Sequence, residues 1–150
     1  MPEILLMLPH LERITISPMG RWCPDVSSKE RLNLPTVKEI RLVGQRTAFP
    51  FWLLDKCENL MDLSLEGTFE EPDDQAHDDS TPARLKSLLL CTSLKSSSLN
   101  WFKPRVSQLE SLTLGVSSLV DPTVVSMLLG VCRATLKKLD IDLRNSACKV

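Results

Sequence analysis

No hydrophobic run in the chain is long enough to cross a bilayer, which takes about eighteen apolar residues. The opening residues, Met1-Pro2-Glu3-Ile4-Leu5, lack the basic flank of a secretory signal. These absences predict an intracellular protein, cytoplasmic or nuclear. A charge excess of one sign is missing as well: the formal net charge is −1 over 150 residues. Without a long-range positive field, neither nucleic acid nor a membrane surface is an expected partner. Histidine is scarce, with only His10 and His77, and Cys23, Cys57, Cys91, Cys132 and Cys148 are widely spaced with no C-x-x-C pair. That spacing argues against a zinc site or a disulfide framework and predicts reduced, buried thiols. The five glycines form no phosphate-cradling loop, and no G-x-S-x-G occurs. Asp140 and Asp142 fall on one strand face, as acid-base pairs sometimes do, but acids on a binding surface are the commoner arrangement. The reading is a non-enzyme with no catalytic residue, no metal and no cofactor.

What is present is an ordinary globular composition, 43% hydrophobic and 25% charged, in a length that suits one domain with a real core. Its organisation comes from a repeat. "LERITI" begins at Leu11, "VKEIRL" at Val37, "LMDLSL" at Leu60, "LKSLLL" at Leu85, "LESLTL" at Leu109 and "LKKLDI" at Leu136. Each copy reads apolar-x-x-apolar-x-apolar. Alternation along a strand sends the fourth and sixth positions to one face, while the first closes the core at the strand entrance. A single copy has almost nothing to bury. Six stacked copies make a parallel sheet with one face covered by the return segments, and each inward side chain then contributes about 1.5–3 kcal/mol of burial. The expected fold is α/β: a leucine-rich-repeat solenoid spanning residues 1–150, with about six parallel strands on its concave side and short helices and irregular segments on its convex side.

The return segments differ among themselves. Pro122 to Ala134 predicts the best helix, with Asp121 as N-cap and Val125, Leu128, Leu129 and Cys132 on its inner face. Pro50 to Asn59 predicts a shorter helix with Trp52, Leu53 and Cys57 inward, and "PEILLML" resembles the tail of another. In "SLNWFKPRVSQ", Pro104 leaves room for a turn or two. Pro18 to Pro35 reads as a long irregular connection. Residues 69–83, "FEEPDDQAHDDSTPA", carry six acids and no Lys or Arg and read as an exposed acidic loop, with a spacing unlike that of an EF-hand.

Taken together, "LNWFKPRVSQLESLTLG", "DPTVVSMLLGVCRATLKKLDI" and the cysteine-containing "CENLMDLSL" resemble the leucine-rich-repeat domains, ribonuclease-inhibitor-like in kind, of fungal F-box proteins. The resemblance implies target recognition for an SCF-type ubiquitin ligase, with ligase subunits as partners only where an F-box lies outside this chain. The first repeat begins at Leu11, so no complete F-box is expected ahead of it. "FPFWLLDKCENLMDLSL" also resembles repeats of plant immune receptors, and a free-standing scaffold is a third reading. The chain departs from many leucine-rich repeats in lacking an asparagine ladder: its ninth repeat positions are Met19, Gln45, Thr68, Ser93, Ser117 and Arg144.

The outward strand positions define the expected partner surface for a protein or peptide. Arg13 and Thr15 come from the first repeat, Glu39 and Arg41 from the second, and Asp62, Ser64 and Glu66 from the third. Ser87 and Leu89 follow from the fourth, Ser111 and Thr113 from the fifth, and Lys138 and Asp140 from the sixth. At a strand spacing of about 4.8 Å the wall is about 24 Å across. Leu89 is an apolar side chain at an outward position, which makes it a contact candidate. Arg13 and Arg41 lie one alternation apart on adjacent strands, a placement suited to an acidic or phosphorylated peptide.

Overall fold

In the computed structural model, residues 5, 7–19, 33–70, 84–93, 100–115 and 122–142 are described. Six strands, β1 (Arg13–Met19), β2 (Glu39–Ala48), β3 (Asp62–Glu70), β4 (Ser87–Ser93), β5 (Ser111–Gly115) and β6 (Lys138–Asp142), form one sheet in sequential order. Every neighbouring pair is parallel. Among the described residues, helices α1 (Phe51–Leu54) and α2 (Pro122–Cys132) lie between them, and residues 100–102 form a short helical stretch. The register matches the sequence repeat position for position. Ile40, Leu63, Leu88 and Leu112 make one buried row, and Leu42, Leu65, Leu90 and Leu114 make the next.

One backbone step recurs at each junction and sets that register. The carbonyl of Glu12, at the second repeat position, accepts from the N–H of Lys38 at 2.8 Å and of Glu39 at 3.1 Å. The carbonyls of Lys38, Met61, Lys86 and Glu110 each accept the corresponding two N–H groups of the next repeat, at 2.8–3.1 Å. Side chains just ahead of the first position add to the step. Thr36 donates to the Leu11 carbonyl and Thr135 to the Leu109 carbonyl, each at 2.8 Å, and Asn59 donates to the Pro35 carbonyl at 2.7 Å. These bonds tie successive repeats where the missing asparagine ladder does not.

The described parts of the return segments pack on one side. Phe49, Phe51, Leu53, Leu54, Cys57, Trp101, Phe102, Val106, Val124, Leu128 and Cys132 join the inward strand residues in a single buried core. Phe49 is its hub, with ring centroids 4.6 Å from Phe51 and 6.0 Å from Phe69, Trp101 and Phe102. The segment after β2 therefore touches the segment before β5 directly. A buried ion pair fastens the same contact: Asp55 accepts from Trp101 Nε1 at 2.7 Å and from Arg105 Nη2 at 3.3 Å. Arg105 also donates to the Trp101 carbonyl at 2.7 Å, and its guanidinium carbon stands 4.2 Å from the ring centroid of Trp101. The side chains of Arg105 and Asp55 are only 10% and 9% exposed. Bonds of this kind are needed there, because an unpaired buried charge is costly.

Several expectations need correction. Phe69 and Glu70 belong to β3, not to an acidic loop running from 69 to 83, because β3 continues its pairing with β2 through Thr47↔Phe69 and Ala48↔Glu70 and buries Phe69 against Phe49. The rest of that segment, 71–83, lies outside the described residues. The extension passes an irregularity after Gly44, where Arg46 has φ 50° and Gly67 has φ 91°. A Cβ on Gly67 would run into the Gly44 carbonyl oxygen, so the close approach of β2 and β3 requires glycine there. Pro18 and Met19 end β1, Leu34 near the end of the expected irregular connection is buried and donates its N–H to the Lys56 carbonyl, and 20–32 are outside the described residues. The helix expected over Pro50 to Asn59 is a single turn, α1, capped at Asp55 and followed by a turn; Leu53 and Cys57 are buried as expected, and the Trp52 side chain lies outside the described residues. In α2 the fully buried stripe is Val124, Leu128 and Cys132, with Val125 and Leu129 half-buried beside it, and the expected N-cap Asp121 is not among the described residues. The inward positions are not uniformly buried either. Leu11, Ile16 and Leu136 are half-buried, and Leu139 and Ile141 are exposed, because β6 is the last strand of the sheet.

Two stability predictions follow from these contacts. Leu112→Ala, in the middle of a buried row, is expected to cost about 2–5 kcal/mol through lost burial and a residual cavity. Asp55→Ala, which strips the buried Arg105 of its partner, is expected to cost about 3–5 kcal/mol. Chemical denaturation monitored by circular dichroism measures both, and a wild-type midpoint in either variant contradicts the contact it removes.

Candidate functional site

The face of the sheet opposite the return layer carries no described covering element, and its residues stand in rows set by the strand register. The third-position row runs Arg13, Glu39, Asp62, Ser87, Ser111, Lys138. The fifth-position row runs Thr15, Arg41, Ser64, Leu89, Thr113, Asp140. All the outward residues expected from the sequence thus share one surface. Arg13, Thr15, Arg41, Asp62, Lys138 and Asp140 are exposed, whereas Glu39, Ser64, Glu66, Ser87, Leu89, Ser111 and Thr113 are half-buried by their neighbours. Leu89, flanked by Ser64 and Thr113, is less open than an isolated outward leucine would be.

The charges are largely satisfied by neighbours, across strands for the two arginines and within β6 for Lys138. Arg13 Nε lies 3.1 Å from Glu39 Oε2, and Arg41 Nη2 lies 3.0 Å from Glu66 Oε1. Lys138 Nζ lies 3.1 Å from Asp140 Oδ2. The arginines therefore do not stand as a free cationic pair; an acidic peptide would have to displace a glutamate from each. Asp62 is placed differently. Partial burial raises its pKa above the ordinary carboxylate value, the neighbouring Glu39 raises it further, and Arg13 opposes both.

Cys57 and Cys132 are buried as expected of the cysteines, whereas the seventh-position row contributes Cys91, which is half-buried on this face. Its sulfur packs so closely on Gly115 that a Cβ at that glycine would collide with it. Burial pushes the Cys91 thiol above its ordinary pKa, Glu66 adds to the rise, a backbone hydrogen bond from Gly115 opposes it, and Asp142 raises it slightly more. Cys57 is pushed up to about 12, first by burial and then by Asp55, and burial likewise raises Cys132. These thiols are protonated at neutral pH, the form least suited to nucleophilic attack or metal binding. Among the described residues, no three His, Cys, Asp or Glu side chains come together to hold a metal ion, and no helix is long and apolar enough to cross a membrane.

What this face offers is shape and hydrogen bonding: a neutral strip of serine and threonine hydroxyls around Leu89, bounded on the β1–β3 side by paired charges and on the β6 side by Lys138, Asp140 and Asp142. The outward positions follow from strand alternation alone. The pairing of each arginine with a glutamate does not, because it depends on which strands adjoin and on their offset. In comparisons with protein-family models, curated proteins and solved structures, the chain matches none.

A prediction attaches to Asp62. A carboxyl whose folded-state pKa is raised binds its proton more tightly in the native state than in the unfolded one, so it lowers stability as pH rises through that range. Asp62→Asn is expected to raise the melting temperature slightly at neutral pH, with the difference vanishing as pH falls below the carboxylate range. Melting curves of both proteins between pH 3 and 7 check this; a gap that widens toward low pH contradicts it.

Proposed function

We propose that the chain is a leucine-rich-repeat solenoid that binds a protein or peptide on its uncovered sheet face. The reading is supported by the repeat register and by the one-sided return layer, which together leave a continuous wall of outward side chains. The observation that carries it is the neutral strip of Ser64, Leu89 and Thr113 across β3, β4 and β5, with the nearest charges tied to one another at its border. A partner docking there desolvates hydroxyls that it can re-bond and an aliphatic side chain that gains from burial, and it avoids stripping water from unpaired charges. Carboxylates outnumber bases on the face as a whole, so a mainly uncharged segment with a basic side chain directed at Asp62 fits it better than an acidic one. By its resemblance to F-box repeat domains, the partner is a protein selected as a ligase target. In that reading the chain supplies recognition, with no catalytic residue and no cofactor, and it acts inside the cell.

The test is proximity labelling in cells with the wild-type chain and with a Leu89→Arg, Thr113→Arg double variant. Proteins labelled by the wild type and reduced at least tenfold by the variant are expected, since a buried arginine at the centre of an interface leaves an unpaired charge. An identical labelled set for the two proteins overturns the face as the binding site. Recovery of ligase subunits with the wild type supports the F-box-like role, and their consistent absence removes that role while leaving the binding face standing.

A further inference from the structure

We propose that this chain associates head to tail with further copies of itself, the β6 edge of one copy receiving the β1 edge of the next as a seventh strand. The two ends of the sheet carry complementary halves of the step that joins every internal repeat. At the five internal junctions a second-position carbonyl accepts two N–H groups from the following repeat. Continued once more, the step has the Lys137 carbonyl as acceptor at one end and the Glu12 and Arg13 N–H groups as donors at the other.

The apolar surface is divided between the same two ends. Among the described residues, the large hydrophobic side chains that stay exposed are Met7 at 77%, Leu8 at 44%, Met61 at 37%, Leu139 at 43% and Ile141 at 52%. Apart from Met61, these flank either the first strand or the last. Leu139 and Ile141 are paired in register with the buried Leu112 and Leu114, so they continue the buried rows and stop where the sheet stops. In the next copy, Ile14 and Ile16 occupy the corresponding positions, and the segment carrying Met7 and Leu8 leads into β1 as α2 leads into β6. One kind of contact covers both exposed sets. A two-fold pairing of β6 with β6 would cover only one of them.

Charge at the second position agrees. Lys38 Nζ lies 3.8 Å from Glu12 Oε1, and Lys137 Nζ lies 3.2 Å from Glu110 Oε2, so acid and base pair across a junction at both ends of the sheet. Head-to-tail stacking places Lys137 beside Glu12 of the next copy and adds another acid-base junction of the kind found at both ends of the sheet. At the third position Lys138 would face Arg13, and each already has a carboxylate at 3.1 Å, Asp140 and Glu39 respectively. A heterologous contact of this kind does not close on itself, so the product grows by successive addition.

The experiment is sedimentation velocity on the full chain over a wide concentration range at low salt. Wild type is expected to grow beyond a dimer as concentration rises. Lys137→Glu alone and Glu12→Lys alone are each expected to weaken association by about tenfold, since each sets like charges against each other at the junction. An equimolar mixture of the two variants is expected to regain wild-type association, because every mixed junction then pairs an acid with a base. Ile141→Asp is expected to abolish growth, and the charge-swap mixture keeps the test decisive if that variant does not fold. A wild type that stays monomeric at every concentration overturns the proposal, as does a dimer that grows no further and ignores Glu12→Lys. Failure of the mixture to exceed the two variants measured separately overturns it too.

Discussion

The doubled hydrogen bond at the second repeat position is the constraint from which the rest of the sheet follows. With both N–H groups of one repeat anchored on a single carbonyl of the repeat before, the strands can neither slip by one residue nor tilt apart. A slip by one would send every inward leucine outward, so the backbone step and the apolar rows enforce each other. The same register decides which outward side chains meet. Arg13 lies opposite Glu39 because the step sets third position against third position, and Arg41 reaches Glu66 because two strands held at that offset bring the fifth and seventh positions within 3.0 Å.

The return layer solves a different problem. Its segments differ in length and sequence, and among the described residues its cohesion comes from bulky side chains and a buried polar knot. Phe49 gathers Phe51, Phe69, Trp101 and Phe102, while Asp55 binds Trp101 and Arg105 from a segment about fifty residues away in sequence. A buried ion pair is a weak source of net stability against an apolar replacement, but it is intolerant of misalignment. An apolar cluster can repack in several ways; a carboxylate that must meet an indole N–H and a guanidinium at once selects one of them.

The strands were legible because their signal is local and repeated: three apolar positions in each copy, at fixed offsets. The inward and outward faces followed from alternation, and the outward residues of all six strands fall on one surface as that alternation requires. The continuation of β2 and β3 past the repeat core was not legible, since its marks are Gly44, Gly67 and a positive φ at Arg46, which read in sequence as loop residues. Phe69 reads as part of an acidic loop for the same reason: its neighbours in sequence are acids, and Phe49 is its neighbour in space. The Asp55 knot escaped notice because its partners lie on a distant segment, with nothing in the spacing of Asp55, Trp101 and Arg105 to join them. The charge state of the wall was misread in a related way. Two arginines on adjacent strands look like a cationic site until the glutamates that the register brings beside them are counted.

The face and the ends of the sheet place opposite demands on one architecture. Stacking by a repeated step has no internal signal to stop, since each junction resembles the one before; a stop has to be supplied by a polar cap or by a partner. The centre of the wall, around Leu89, is indifferent to that choice because its neighbours on both sides are internal strands. The borders are not, because Arg13 and Lys138 sit on the first and last strands, which pair on one side only among the described residues. Another strand on either flank would extend the wall and change the potential at its rim while leaving the Ser64, Leu89 and Thr113 strip as it is. The proposed recognition at the centre and the proposed assembly at the ends are therefore separable in this fold, and substitutions at Leu89 and at Lys137 are expected to act on different properties of the same sheet.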